Sequence, residues 1–451
     1  MGTDTVRGAA SEAAARAERR REQRGWYFYD WACSVYSTSV LTVFLGPYLT
    51  SVAKAAADAE GFVHPLGIPV RAGSFFAYTV SLSVLLSVFL MPLAGTAADR
   101  TGRKKPLLAT AAYVGAAATA GMFFLDGERY LLGGALLVVA NAALAVSMVL
   151  YNSYLPQIAP PQERDAVSSR GWAFGYASGA LVLVANLWLY TSHATFGVSE
   201  STAVRICLAS AGVWWGAFTL VPLRRLRDRR PAHAPGAPVS GPRQFLATVK
   251  GMRRYPRTLS FLLAYLVYND GVQTVISQAS VYGSEELRLG QSTLIVAVLL
   301  VQVLAVVGAL AMGRLARAYG ARRTILGSLV AWTVTIGAGY FLPSGSATWF
   351  FTLAVGIGLV LGGTQALSRS LFSHLVPAGK EAEYFSAYEM SDRGMSWLGP
   401  LVFGLAYQLT GSYRDAIVSL VVFFVLGFVL LARVPVRQAV RDAGNPVPAR
   451  I

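Results

Sequence analysis

Twelve apolar runs, each long enough to cross a bilayer, leave this chain few folds to choose from. A helical span needs about 20 predominantly apolar residues. Runs of that order recur at residues 26–53, 73–98, 106–125, 130–154, 170–194, 202–222, 257–282, 292–313, 324–342, 348–371, 385–410 and 414–433. Hydrocarbon offers the backbone no hydrogen-bond partner, so each run must satisfy its own N–H and C=O groups as a helix. The runs are too long and too uniformly apolar for the alternating strands, about ten residues each, of a membrane barrel. Only 14% of the 451 residues are charged and 54% are hydrophobic, far from the balance of a soluble domain. An all-α integral membrane protein with twelve transmembrane helices follows.

The formal net charge is +16, which taken alone would also suit a nucleic-acid binder. The placement of the charge argues for topology instead, with no nucleic-acid partner. With residue 1 inside, the inner segments hold 32 of the 39 Lys and Arg residues. The outer loops hold 6: Lys54, Arg71, Arg129, Arg205, Arg288 and Arg414. That bias puts both termini in the cytoplasm, and in a bacterium the membrane is the plasma membrane. Arg369, near the inner end of the tenth span, is expected to snorkel to the inner surface. Cys33 and Cys207 both fall in spans with no His nearby, so neither a disulfide framework nor a metal site is expected, and no cofactor motif stands out. No glycine-rich phosphate loop ending in Gly-Lys-Ser/Thr is present, so ATP drive is not expected, and no enzyme constellation is evident.

Five segments follow in order: a basic lead-in over 1–25, a first six-helix bundle over 26–222, a linker over 223–256, a second six-helix bundle over 257–433 and a tail over 434–451. The lead-in has no apolar core, so it is no signal peptide. Its stretch 9–24 is rich in Ala, Glu and Arg and favours helix, either resting on anionic headgroups or solvated. The linker carries Arg224, Arg225, Arg227, Arg229 and Arg230 before a flexible run, Pro231 to Pro238. A duplication relates the bundles. Ser153 and Ser370, and Pro160 and Pro377, stand 217 residues apart, and Gly95 and Gly313 stand 218 apart.

Between the second and third spans lies Gly95-Thr96-Ala97-Ala98-Asp99-Arg100-Thr101-Gly102-Arg103-Lys104-Lys105. A weaker copy, Gly313 to Arg323, has Arg317 where the acid would stand. The pattern resembles the signature hinge of the major facilitator superfamily.

Ionisable and polar groups inside spans are costly and therefore informative. Trp26 and Tyr27 are read as markers of the inner interface. At 1.5 Å per residue Asp30 lies about 6 Å deeper. A lone acid there costs on the order of 2–3 kcal/mol, so it should face the interior with a partner. In the seventh span, Tyr268-Asn269-Asp270-Gly271-Val272-Gln273 puts Asp270 near mid-membrane. In the eleventh, Glu389, Asp392 and Arg393 lie within about a turn, and Glu389 and Arg393 share a face. They read as a gate or proton relay, or as a structural salt bridge. In the tenth, Gln365 can hydrogen-bond a polar solute. Asn152 can do the same from the fourth, although pairing between helices is the commoner role.

Several stretches together resemble the vacuole effluxer-like (autophagy-related amino-acid exporter) family of that superfamily. They are Tyr29-Asp30-Trp31-Ala32, Tyr151-Asn152-Ser153-Tyr154-Leu155-Pro156, Gly362-Gly363-Thr364-Gln365-Ala366-Leu367-Ser368-Arg369-Ser370 and the segment Glu389 to Pro400. The resemblance implies two six-helix bundles around a central cavity and a secondary transporter working by alternating access as a monomer. The solute implied is small and polar, with amino-acid export and proton coupling as the finer expectations. Asp30 and Asp270, with Tyr29, Asn269, Gln273, Asn152 and Gln365, are the expected substrate or coupling groups. Gly95, Asp99, Arg100, Gly102, Arg103, Glu389, Asp392 and Arg393 form the expected cytoplasmic gate, in which the superfamily's hinge acid braces the start of the eleventh helix. The competing expectation is a membrane sensor or scaffold that keeps the fold without transporting.

Overall fold

In a computed structural model of the chain, residues 2–72, 75–229, 251, 253–393, 398–410, 412–448 and 450 are described. Helix α1 (Gly2–Val35) opens in the Ala, Glu and Arg stretch and runs unbroken into the first apolar run. It continues through π-helical Tyr36–Phe44 into α2 (Leu45–Ala55). A small antiparallel ribbon, β1 (Phe62–Val63) with β2 (Val70–Arg71), leads to α3 (Phe75–Thr101) and α4 (Lys104–Gly121). Next come α5 (Tyr130–Asn152), the single turn α6 (Leu155–Ile158), α7 (Arg164–Thr191) and α8 (Glu200–Arg225). The second half holds α9 (Pro256–Val281), α10 (Gln291–Tyr319), α11 (Ala321–Gly339) and α12 (Ala347–Ser373). It ends with α13 (Glu381–Arg393), α14 (Leu398–Thr410), α15 (Tyr413–Ser419), α16 (Val421–Arg433) and α17 (Val436–Asp442).

Among the described residues, 10 helices are long and apolar enough to cross a membrane. The other two expected passes fall on α11, 19 residues long, and on α13 with α14, which flank 394–397, outside the described residues. Among the described residues two large hydrophobic cores form, one from Trp26 to Leu226 and one from Phe261 to Val440, with a small third cluster of Met91, Ala145 and Val149. In the first, α1 packs on α7 and α8, and α5 on α3 and α4; in the second, α12 packs on α10 and α11, and α16 on α9 and α11. Across the divide, α7 packs on α10 and α12, while α13 packs on α3 and α5. The fifth and eleventh passes thus play matching roles, as a duplicated unit requires. Large apolar side chains such as Phe89, Val184, Trp188 and Val303 point outward, where lipid rather than water would meet them.

One sequence expectation is corrected here. Trp26 and Tyr27 do not anchor the interface: they are 0% and 6% exposed, and Trp26 stacks on Tyr151 with centroids 4.4 Å apart. The cause is that α1 starts well before them, so they enter the bundle core. At the end of the lead-in Arg20, Arg21 and Arg24 are exposed while Glu22 and Gln23 are buried against the first bundle. Gln23 Nε2 donates to the Ile158 carbonyl at 3.1 Å, and Arg229 donates to Glu22 at 2.6 Å. Asp228 accepts from the Lys105 backbone N–H at 2.8 Å and from the Tyr154 hydroxyl at 2.9 Å. The linker therefore begins laid across the first bundle; its Pro-rich part and His233 lie outside the described residues. The tail docks on the second bundle through buried Val436, Ala439 and Val440 and an Arg257–Asp442 ion pair at 2.6 Å.

Candidate functional site

A cavity of about 340 Å³ lies between the bundles. Its walls come from α1 and its π-helical continuation, α5 and α7 on one side and from α9, α10, α12 and α13 on the other. Much of the wall is apolar, with Leu144, Met148, Leu294, Val298, Phe350 and Ile357. Of the lining residues, Ser37, Thr42 and Ile276 are exposed, so the cavity opens at the end away from the chain termini.

The floor is a buried charge network across the bundle divide. Arg369 of α12 is 1% exposed and pairs with Asp30 of α1 at 3.3 Å. Its Nε donates to Ser168 Oγ and one terminal nitrogen to the Ser168 carbonyl, each at 2.9 Å. Further bonds run to Asp30 Oδ2 at 3.3 and 3.4 Å and to Asn152 Oδ1 at 3.3 Å. The guanidinium also lies 4.7 Å from the Trp26 ring, 5.3 Å from Trp172 and 5.7 Å from Tyr151. The Tyr151 hydroxyl donates to Asp30 Oδ2 at 2.6 Å. Asn152 Nδ2 donates to Glu389 Oε1 at 2.6 Å. A charge taken out of water needs a partner and full hydrogen bonding, and Arg369 has both. The expectation that it snorkels is therefore wrong: its face of α12, four residues beyond Gln365, turns into the protein.

Close packing of α1 on α7 makes the floor possible. A Cβ at Gly171 would lie 2.7 Å from Asp30 Oδ2 and 3.0 Å from an Arg369 nitrogen; one at Gly175 would lie 2.5 Å from Ser34 Oγ, and one at Gly179 2.6 Å from Thr38 Oγ1. Three glycines at four-residue spacing thus clear a track for Asp30 and Ser34 on α1 and Thr38 on its π-helical continuation, at the same spacing.

Below the floor, toward the termini, the bundles are sealed. Ser168 Oγ donates to the Ala366 carbonyl at 2.7 Å, and Arg164 to the Ser373 carbonyl at 2.8 Å. Lys104 bridges Asp99 at 3.4 Å and Glu381, the first residue of α13, at 3.5 Å. The brace from the hinge acid to the eleventh pass therefore runs through Lys104. Gly102 ends α3 with φ +63°, the left-handed conformation that favours glycine. Gly95 is buried in α3, Arg100 is half-buried and Arg103 is exposed. His374, just past α12, is pushed down to about 3 by burial and by the Arg164 guanidinium, so its ring is neutral.

Of the expected solute groups, Asp30, Asn152, Gln273 and Gln365 line the cavity. Glu389, expected at the gate, is placed on the floor. Tyr29 sits behind the wall with its ring 5.1 Å from Tyr151. Asn269 accepts from Gln365 at 2.8 Å. Asp270 is buried beside Gly399, and neither carboxylate oxygen finds a hydrogen-bond partner among the described residues. The side chains of Asp392 and Arg393 lie outside the described residues, and with them the expected Glu389–Arg393 pair. Sequence reasoning missed Lys104, Glu381, Arg164, Trp172 and the role of Arg369. The duplication carried a signal for three of them: Asn152 and Arg369, and Arg164 and Glu381, each stand 217 residues apart.

Residues 18–444 match the family described as vacuole effluxer Atg22 like. The chain belongs to that family. It is 30% identical over 419 residues to the uncharacterized MFS-type transporter YxiO of Bacillus subtilis (strain 168), covering 92% of this chain and 95% of that one. It is 27% identical over 523 residues to autophagy-related protein 22-1 of Phaeosphaeria nodorum, covering 95% and 92%. Among solved structures, the major facilitator transporter FucP in the outward conformation superposes with a TM-score of 0.66 at 14% identity, covering 92% and 98%. Family and fold are thus those of a multi-pass membrane transporter of the major facilitator superfamily.

Proposed function

We propose that this Atg22-like protein moves a small polar solute, amino acids first among them, outward across the plasma membrane as a proton-coupled monomer with both termini in the cytoplasm. The observation that carries the reading is the Asp30–Arg369 pair, because it joins the first pass of one bundle to the tenth pass of the other at the base of a cavity open on one side. Alternating access requires that joint to part. A proton delivered to the Asp30 carboxylate removes the negative partner and weakens the tie between bundles; its loss restores the tie. Lys104, Asp99 and Glu381 act as the second closure on the cytoplasmic side. Asp270, a buried carboxylate with no hydrogen-bond partner among the described residues, is the second candidate to carry a proton. A scaffold has no use for a charge pair buried across a divide, at a cost of several kcal/mol per ion in desolvation.

The test is flux. Purified protein in liposomes is loaded with labelled amino acids and other small polar solutes, with and without a pH gradient. Saturable efflux that an ionophore abolishes, and that Asp30→Asn uncouples from pH, is expected. Folded protein that moves none of the solutes returns the sensor reading.

A further inference from the structure

The cation on the cavity floor is saturated. Arg369 has five N–H donors, and five hydrogen bonds account for them, to Ser168 Oγ, the Ser168 carbonyl, Asn152 Oδ1 and, twice, Asp30 Oδ2. It is the one Lys or Arg among the described residues lining the cavity. A solute carboxylate entering this state meets no free cationic donor.

Among the described residues, several uncharged groups with spare hydrogen-bonding capacity stand at the cavity wall. The Gln273 side chain lines it, and no hydrogen bond engages it among the described residues. The Trp172 indole N–H is buried at the wall with no acceptor. Gln302 of α10 donates from Nε2 to Thr38 Oγ1 at 2.9 Å, which leaves its amide oxygen open. Opposite stands the π-helical stretch. There Thr42 Oγ1 donates to the Ser37 carbonyl at 2.9 Å and the Leu45 N–H to the Val40 carbonyl, both five residues apart. A turn of that width brings positions five apart onto one face, so Ser37 and Thr42 line the cavity together. Single π-helical turns inside α-helices concentrate at functional sites, and none of this cluster was singled out by composition or motif except Gln273.

We propose that solute recognition rests on a neutral subsite above the charged floor, built from Gln273, Gln302, Trp172 and the Ser37–Thr38 turn. It takes uncharged hydrogen-bonding groups of the solute (hydroxyl, amide or carbonyl), while the floor network serves coupling and closure. The proposal rests on the transporter reading. A buried amide or indole N–H left unpaired is costly, so a solute that pairs them is selected over one that does not.

The experiment uses the full chain in liposomes with whichever solute the wild type carries. Gln273→Leu is the first variant, because it removes no bond among the described residues; Gln302→Leu and Trp172→Phe follow, each checked for an unchanged melting temperature. We expect KM to rise about tenfold or more with the maximal rate nearly held, a change of about 1.4 kcal/mol or more. Competitors lacking one hydroxyl or amide should lose a similar factor on the wild type, whereas converting a solute carboxylate to its amide should not. Unchanged KM in all three variants, or competition that depends on the carboxylate, overturns the inference and leaves transport standing. Folded wild type with no flux for any solute overturns the transport reading and the inference with it.

Discussion

Replacing Arg369 by Met tests the network at its centre. The guanidinium makes five hydrogen bonds and lies against three aromatic rings. Met fills similar volume but leaves Asp30, 4% exposed, as a buried acid whose remaining hydrogen-bond donor among the described residues is Tyr151. Breaking a buried pair from one side costs about 3–5 kcal/mol, because the surviving charge has lost its compensation. For a bundle of about 200 residues, each kcal/mol moves the melting temperature by about 2–4 °C, so a fall of roughly 6–20 °C is expected. Pairing Arg369→Met with Asp30→Asn removes the orphaned charge and should restore much of that loss, while transport stays abolished. The assay is built into the chain: Cys33 and Cys207 are both buried thiols outside any disulfide, so a thiol-reactive fluorophore reports unfolding. The reasoning is falsified if Arg369→Met melts within about 2 °C of wild type, or if the double variant melts no higher than the single one.

Four further outcomes are expected. Gly171→Ala puts a methyl group against Asp30 and Trp26 and should destabilise by about 1–3 kcal/mol through overpacking, seen as a lower melting temperature; an unchanged one would mean α1 and α7 separate freely. Lys104→Glu should raise maleimide labelling of a cysteine placed at Ala366, and adding Glu381→Lys should lower it again; equal labelling in both would remove Lys104 from the closure. Asp270→Asn should fold as well as wild type, since it deletes a carboxylate with no hydrogen-bond partner among the described residues, yet lose coupled transport; full transport would strike Asp270 from the coupling groups. His374 sits at about 3 in the folded protein against about 6.5 unfolded. The unfolded chain therefore binds the proton first, so this stability is complete above pH 6.5 and drains as pH falls toward 3. The loss should reach about 2 kcal/mol by pH 5, and a His374→Gln variant should melt with less dependence on pH over that range.

Some of this protein was decided by its linear sequence. Twelve apolar runs require helices in lipid, because nothing else there satisfies the backbone. The hinge from Gly95 to Lys105, the repeat near 217 residues and the stretch from Gly362 to Ser370 carried the superfamily and the family. Asp30 was legible as a buried acid in need of a partner, because an ion in a span has few alternatives. Its partner was not legible, since Arg369 lies 339 residues away and the distance between two helices is no property of either. The same holds for Lys104 and Glu381, 277 residues apart, each of which reads alone as an ordinary loop charge. Trp26 was misjudged for a related reason: amphipathic aromatics suit both an interface and a bundle core, and only the extent of α1 settles which. The π-helical stretch leaves no mark in composition. Helix packing chooses which face of α1 meets the glycine track on α7, and that choice separates a saturated floor from an open, neutral wall.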